Sequence, residues 1–202
     1  MKATEILSIE HRVIETMLTV LERICQDAES NHKLNKEDAQ NAVSFIRTFA
    51  DQCHHGKEEG QLFPAMEAKG IPAEHGPIGV MLNEHEQGRQ FVRGMAGQIE
   101  LAAQGDSSAI RTFTENAHGY VFLLRSHIQK EDNILFPMAA RVMNEEEQAV
   151  LLKQFDLVET DHMGAGTHEK FLAMAEALAT KYGVSTEKIA AAASCGCSHH
   201  KH

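Results

Sequence analysis

Tryptophan is absent from this sequence of 202 residues, and aromatic residues make up only 5% of it. Ala, Glu, Leu, Met and Gln are plentiful instead, and a composition rich in these residues favours helices. A chain of this length can bury one sizeable core with a C-terminal appendage, but two full domains are not expected. The composition therefore predicts an all-α protein with a single main domain.

Basic residues are also scarce. The chain has 19 Lys and Arg against 29 Asp and Glu, which gives a formal net charge of -10 at pH 7. Nucleic acid binding requires a basic face to meet the phosphates, so this class of function is not expected. An acidic balance instead suits a site that attracts cations.

Long apolar runs and a disulfide framework are missing as well. No stretch approaches the roughly 18 apolar residues of a membrane span, and the start, MKATEILSIEH, has no apolar core of a signal peptide. Cys25 and Cys53 fall in helical patterns, and Cys195 and Cys197 in a terminal tail, which is not a disulfide pattern. We therefore expect a cytoplasmic protein in a reducing compartment, with no membrane partner.

Apolar residues recur at three- and four-residue spacing, which is typical of helices with one buried face. A linker rich in Pro and Gly, Ile71 to Gly79, divides the main domain into halves of two helices each. The predicted helices run from Thr4 to about Glu29, from Asn35 to about Leu62, from about Ile78 to Gln104, from a cap at Asp106, Ser107 or Ser108 to Pro137, from Glu145 through Val158, and from Phe171 to Tyr182.

One motif occurs once in each half. HHGKEEGQLFP (54–64) and HIQKEDNILFP (127–137) share six of eleven positions. In both, a His precedes a Glu by four residues, and this spacing places an imidazole and a carboxylate on the same helix face. Each motif therefore offers a metal-ligand pair in register with the apolar stripe.

The other helix of each half carries a Glu-His dipeptide, Glu10-His11 and Glu84-His85. His54 follows His11 by 43 residues and His127 follows His85 by 42, so the halves repeat each other. Two such halves predict an antiparallel up-down-up-down four-helix bundle with the metal site inside it. We expect this bundle over 1–142, a helical extension packed on it over 143–183 and a mobile tail over 184–202. The expected metal ligands are His11, His54, Glu58, His85, His127 and Glu131.

The ordinary alternative is that these are exposed His/Glu pairs on solvated helix faces. It does not explain why both pairs coincide with the apolar stripe and with the repeat. A buried carboxylate without a positive partner loses several kcal/mol of solvation, whereas a pair of cations removes that cost. The metal interpretation is therefore preferred.

Neighbouring residues with similar spacing are assigned differently. Alignment of the Leu-Phe-Pro endings pairs the two motifs so that His55 and Glu59 fall outside the ligand set, and both are expected at the surface. Tyr120 lies two turns before His127 on the same face and could reach toward the site, although packing is its expected role. Three residues have no counterpart in the repeat and are assigned no role: Glu159, His162 and His168.

These motifs resemble those of the hemerythrin family, specifically the bacterial and archaeal hemerythrin-like or HHE cation-binding proteins, over about residues 4–142. The resemblance implies a four-helix bundle with two non-haem irons bridged by the two carboxylates and by an oxo or hydroxo group. It assigns the six residues named above as the ligands. From the residues alone, imidazole and carboxylate ligands suit iron, manganese, zinc or copper.

The sequence departs from the oxygen-carrying members of that family. Those proteins have His-x3-His in the third helix and Asp as the last carboxylate, whereas this chain has Arg89 and Glu131 there. One nitrogen fewer implies open metal positions, which allow a metal to activate a ligand. The expected function is binding of and reaction with oxygen, peroxide or nitric oxide as a di-iron oxidoreductase, with an electron donor as a further partner. The alternatives are an oxygen sensor or carrier, and a protein for iron storage or donation.

The end of the chain combines thiols and imidazoles within eight residues. Such donors can hold zinc, copper or nickel weakly, but a disordered end with incidental His, or an expression remnant, is the slightly preferred interpretation. The residues concerned are Cys195, Cys197, His199, His200 and His202.

Overall fold

The computed structural model describes residues 2–162, 164 and 166–196. Every regular element in these ranges is a helix, which confirms the predicted all-helical class. No helix in the described part of the chain is long and apolar enough to cross a membrane. In chain order the α-helices are α1 (Ala3–Asn31), α2 (Lys36–Phe45), α3 (Phe63–Glu67), α4 (Pro77–Ala103), α5 (Ser107–Lys130), α6 (Phe136–Val142), α7 (Glu145–Leu157), α8 (Thr167–Lys181) and α9 (Glu187–Gly196).

Side-chain caps fix several helix starts where the sequence predicts them. The Asn35 side chain accepts a hydrogen bond from the amide of Asp38, and Asp106 accepts one from the amide of Ala109. These bonds satisfy amides that have no partner within the first turn of a helix. The long helices then pack in a cycle, because α1 contacts α2 and α5, and α4 contacts the same two helices.

Wide π-helical turns interrupt both helices that carry the repeated motif. They span Ile46–His55 and Glu58–Leu62 in the first half and Glu131–Leu135 in the second. Each motif ends in a proline, Pro64 or Pro137, whose ring clashes with the carbonyl four residues earlier and favours a widened turn. The chain remains helical through the motif and adds α3 or α6 after it.

The C-terminal residues pack more extensively than the sequence predicts. Helices α7, α8 and α9 all contact α1, and α8 also contacts α2. A mobile tail is expected from residue 184, but α9 buries Ile189 and Ala192 against the core. An Ala-rich helix can pack closely because its side chains are small. Of the tail donors, the side chain of Cys195 and all of residues 197–202 lie outside the described residues.

Candidate metal centre

A buried polar layer separates two hydrophobic clusters in the middle of the helical assembly. Along α1, Leu7 belongs to the first cluster and Val13 to the second, with Glu10 and His11 between them. Both polar residues are buried. Buried polar side chains need partners, so this layer is where a site is expected.

The structure brings all six sequence-predicted residues into this layer, and none exposes more than 1% of its surface. Their donor atoms form two groups, each with all ligand atoms within 4.8 Å of one another. We call them position A and position B. Position A comprises His11, His54, Glu58 and Glu131, and position B comprises His55, Glu58, His85 and His127.

The two glutamates lie between the positions. Glu58 Oε1 is 3.5 Å from Nε2 of His54, and its Oε2 is 3.5 Å from Nε2 of His85. Glu131 Oε2 lies 3.2 Å from two imidazole Nε2 atoms, one at each position. Each carboxylate can therefore bridge two cations.

The two carboxylates are buried next to imidazole rings and form no hydrogen bonds. Both oxygens of Glu58 and both oxygens of Glu131 are buried without a hydrogen bond, and so is Nε2 of His11. Burial, and then the negative charge of Glu131, raises the pKa of Glu58 well above its ordinary value. Unpaired buried acceptors are costly, and two bound cations would remove the cost. The donor set therefore fits a pair of metal ions.

The opposite nitrogen of each predicted histidine ligand is held by a carboxylate. A hydrogen bond at Nδ1 fixes the ring and leaves Nε2 as the donor toward a cation, as outer carboxylates do in metal sites. Sequence reasoning found none of these carboxylates as partners, although each lies next to a predicted ligand in the sequence. The Nδ1 to oxygen pairs are His11 with Asp132 at 2.9 Å, His54 with Glu10 at 2.9 Å, His85 with Glu59 at 2.7 Å and His127 with Glu84 at 2.9 Å.

His55 is not at the surface, and that expectation is wrong. It is 4% exposed, and its ring stacks on His85 with centroids 3.8 Å apart and planes inclined by 15°. Its Nδ1 lies 3.3 Å from Asp51, which Arg89 also binds. Burial, and then the adjacent His85, lowers the pKa of His55 well below its usual value, so the ring is neutral and able to bind a metal.

The aligned motifs could not reveal His55 because the second motif has Ile128 at that position. The π-helical run Ile46–His55 turns fewer degrees per residue than an α-helix, so His54 and His55 can both face inward. One signal was available in the sequence. Asp51 precedes His55 by four residues, the spacing at which a carboxylate supports an imidazole on the same helix face.

Glu59 and Tyr120 occupy the periphery of the centre. Glu59 is partly buried and pairs with Arg89 as well as with His85, so it is not a free surface residue. Tyr120 is buried, in agreement with its predicted packing role. It lines a cavity of about 160 Å³ that reaches His55 and His85.

A third group of potential ligands combines Glu10 of α1 with Glu159 and His168 of the C-terminal segment. The ammonium group of the buried Lys57 binds both glutamates of this group. His168 also stacks on Phe49, with ring centroids 5.2 Å apart. This group is therefore an ion-paired network. The sequence assigns no role to His162 either, and its side chain lies outside the described residues.

Comparison with known proteins agrees with this geometry. The family model for the hemerythrin HHE cation-binding domain matches residues 2–139. Curated relatives include uncharacterized proteins of Mycobacterium bovis and Mycobacterium tuberculosis, which are 27% identical to this chain over 158 residues. That alignment covers 76% of this chain and 60% of each relative, so the chain spans about 60% of the length of these relatives. No solved structure matches the chain.

Proposed function

Because the chain belongs to the hemerythrin HHE cation-binding domain family, we propose that it holds two iron ions, one at position A and one at position B. Glu58 and Glu131 would bridge them, together with an oxo or hydroxo group. We propose as well that the helices around the two positions form an antiparallel up-down-up-down four-helix bundle. The observation that carries it is the pair of buried carboxylates without hydrogen bonds, facing the Nε2 atoms of both positions.

We propose further that the centre binds and reacts with a small ligand such as oxygen, peroxide or nitric oxide. When bound, an iron pair supplies Lewis acidity and one-electron chemistry that no side chain here provides. The protein orients the imidazoles through their Nδ1 bonds, and apolar clusters flank the layer of donors. Turnover would also require an electron donor.

Reversible oxygen binding is the second candidate, and His55 is the observation that favours it. In the sequence, Arg89 stands where oxygen carriers have a fifth histidine, and Glu131 stands where they have an aspartate. The structure places His55 beside His85 from another helix and pairs Arg89 with its supporting carboxylate, Asp51. The number of imidazoles around the centre is thereby five.

The test is expression in iron-replete medium, followed by elemental analysis and an ultraviolet-visible spectrum. The expected result is about two irons per chain with the absorption of a bridged ferric pair. Stopped-flow mixing of the reduced protein with oxygen, peroxide or nitric oxide then separates the candidates, since an enzyme forms product and regenerates its starting spectrum. A carrier forms an adduct that reverses when the gas is removed. A chain that binds no iron contradicts both.

A further inference from the structure

Lys57 is a fully buried lysine immediately before the bridging residue Glu58. Its ammonium group binds Glu10, and it donates a second bond of 2.5 Å to Oε1 of Glu159. The ring of Phe155 lies beneath it, 5.9 Å from Nζ. Burial of an ammonium is costly unless it is paired on several sides, and here the pairing is complete.

The bonds continue from Lys57 into position A. Glu10 uses one carboxylate oxygen for Lys57 and the other for Nδ1 of His54, at 2.9 Å. Glu159 belongs to the π-helical turn Val158–His162, beyond residues 2–139 that match the family model. A chain of three charged groups therefore links the C-terminal segment to one imidazole of the centre.

The second half of the repeat has the same lysine without the same partner from the C-terminal segment. Lys130 binds Glu84, and Glu84 holds Nδ1 of His127 at 2.9 Å. The side chain of Lys130 is 34% exposed, whereas that of Lys57 is 0% exposed. The internal symmetry of the centre is thus broken at the bonds that support the ligands.

We propose that Glu159 and Lys57 are positioning residues through which the C-terminal segment sets the cation affinity of position A independently of position B. Glu10, Lys57 and Glu159 together carry one net negative charge. Sharing of the ammonium between two carboxylates leaves Glu10 a stronger acceptor for His54, and this makes Nε2 a better donor. The proposal rests on the cation pair proposed above.

Removal of the Glu159 charge should weaken position A for two reasons. The net charge of the triad becomes neutral beside a cation, and Lys57 withdraws more of the Glu10 charge from His54. Loss of an outer partner usually lowers metal affinity by about 10–100-fold. Glu159 is one hydrogen bond further from His54 than such a partner, so we expect a loss of affinity at the lower end of this range, about tenfold.

The test is titration of metal-free protein with Co(II), with a competing chelator and visible absorption as the readout. Glu159→Gln should lower the affinity of one binding step about tenfold and leave the other unchanged. Glu146→Gln removes the same charge from an exposed site on α7 and should change neither step. Lys130→Met should instead affect the other step, through Glu84 and His127.

Two backgrounds assign the affected step. In His11→Gln, which lacks an imidazole of position A, Glu159→Gln should have no further effect on the remaining step. In Lys57→Met, the Glu159→Gln substitution should also have no effect, because Glu159 is no longer connected to Glu10. If Lys57→Met does not fold, the His11→Gln background is sufficient to assign the affected binding step.

The outcomes are distinct. Equal Co(II) affinities for the unmodified chain and Glu159→Gln, with two ions bound, overturn this inference and leave the proposed function standing. Weakening of both steps together with lower thermal stability of the metal-free variant also overturns it, because that result indicates general structural damage. Failure of the unmodified chain to bind Co(II) overturns both.

Discussion

His55 and His85 lie face to face, with their ring centroids 3.8 Å apart, although they come from different helices. The contact supplies position B with an imidazole that no motif alignment predicts. Asp51 holds His55 and Glu59 holds His85, and Arg89 binds both carboxylates. Arg89 therefore organises the two carboxylates that hold these imidazoles.

The first prediction concerns this imidazole. His55→Gln should weaken the metal bound at position B by more than the 10–100-fold typical for loss of a ligand's outer partner. His118→Gln, at an exposed position on α5, is the matched control and should bind two metals normally. Equilibrium dialysis against Fe(II) without oxygen measures both. Unchanged binding by His55→Gln would show that its role is packing alone.

A second prediction separates stability from metal binding at Glu58. In metal-free protein the two oxygens of this carboxylate are buried without hydrogen bonds. Glu58→Gln removes the free-energy cost of burying an acidic group at this position. The metal-free variant should therefore be more stable than the unmodified chain by about 1–2 kcal/mol. It should lose the second bound metal and most of the stabilisation that metal provides.

Thermal unfolding with and without metal measures both effects of Glu58→Gln. Saturation at 100 times the dissociation constant should stabilise the unmodified chain by about 2.7 kcal/mol per metal. Asp156→Asn, at a partly buried position on α7 outside the centre, serves as the control. A less stable Glu58→Gln variant that still binds two metals would contradict the assignment.

A third prediction uses the two tyrosines of the chain. Burial, and then the negative charge of Asp51, raises the pKa of Tyr120. Burial, and then the bond that Tyr182 donates to Asp38 at 2.6 Å, raises the pKa of Tyr182. A raised folded-state pKa gives stability that is complete below the unfolded value near 10 and is lost as the pH rises above it.

Tyrosinate absorbance should therefore appear together with loss of helical circular dichroism, above pH 10. The absence of tryptophan simplifies the spectrum. Tyr182→Phe leaves Tyr120 as the remaining tyrosine and should show the same coincidence. Ionisation of either tyrosine near pH 10 in protein that keeps its helical signal would refute the burial argument.

The fourth prediction concerns the internal cysteines, Cys25 and Cys53. Burial raises the pKa of each thiol to about 12, and the negative charges of Glu29 and Glu22 add to the effect at Cys25. Since the thiolate is the reactive form, neither should react with a thiol reagent in the native state. In a chain whose Cys195 and Cys197 are replaced by Ser, the reagent should find two thiols only after denaturation. Rapid labelling of native protein would indicate that the core opens.

Periodicity and the repeat were sufficient to predict the helical class, most helix bounds and the residues that gather at the centre. They could not predict His55, because the register of a π-helical turn differs from that of an α-helix and the repeat has Ile128 there. They also could not predict the role of Lys57. Nothing in its motif distinguishes it from Lys130, and its burial depends on Glu159, about a hundred residues away in the chain.

Two of the four outer carboxylates are exchanged between the halves of the repeat. Asp132 from the second half holds His11 of the first, and Glu59 from the first half holds His85 of the second. A half expressed alone would lack one anchor for its own histidine, and it could regain that anchor only by pairing with another copy of itself.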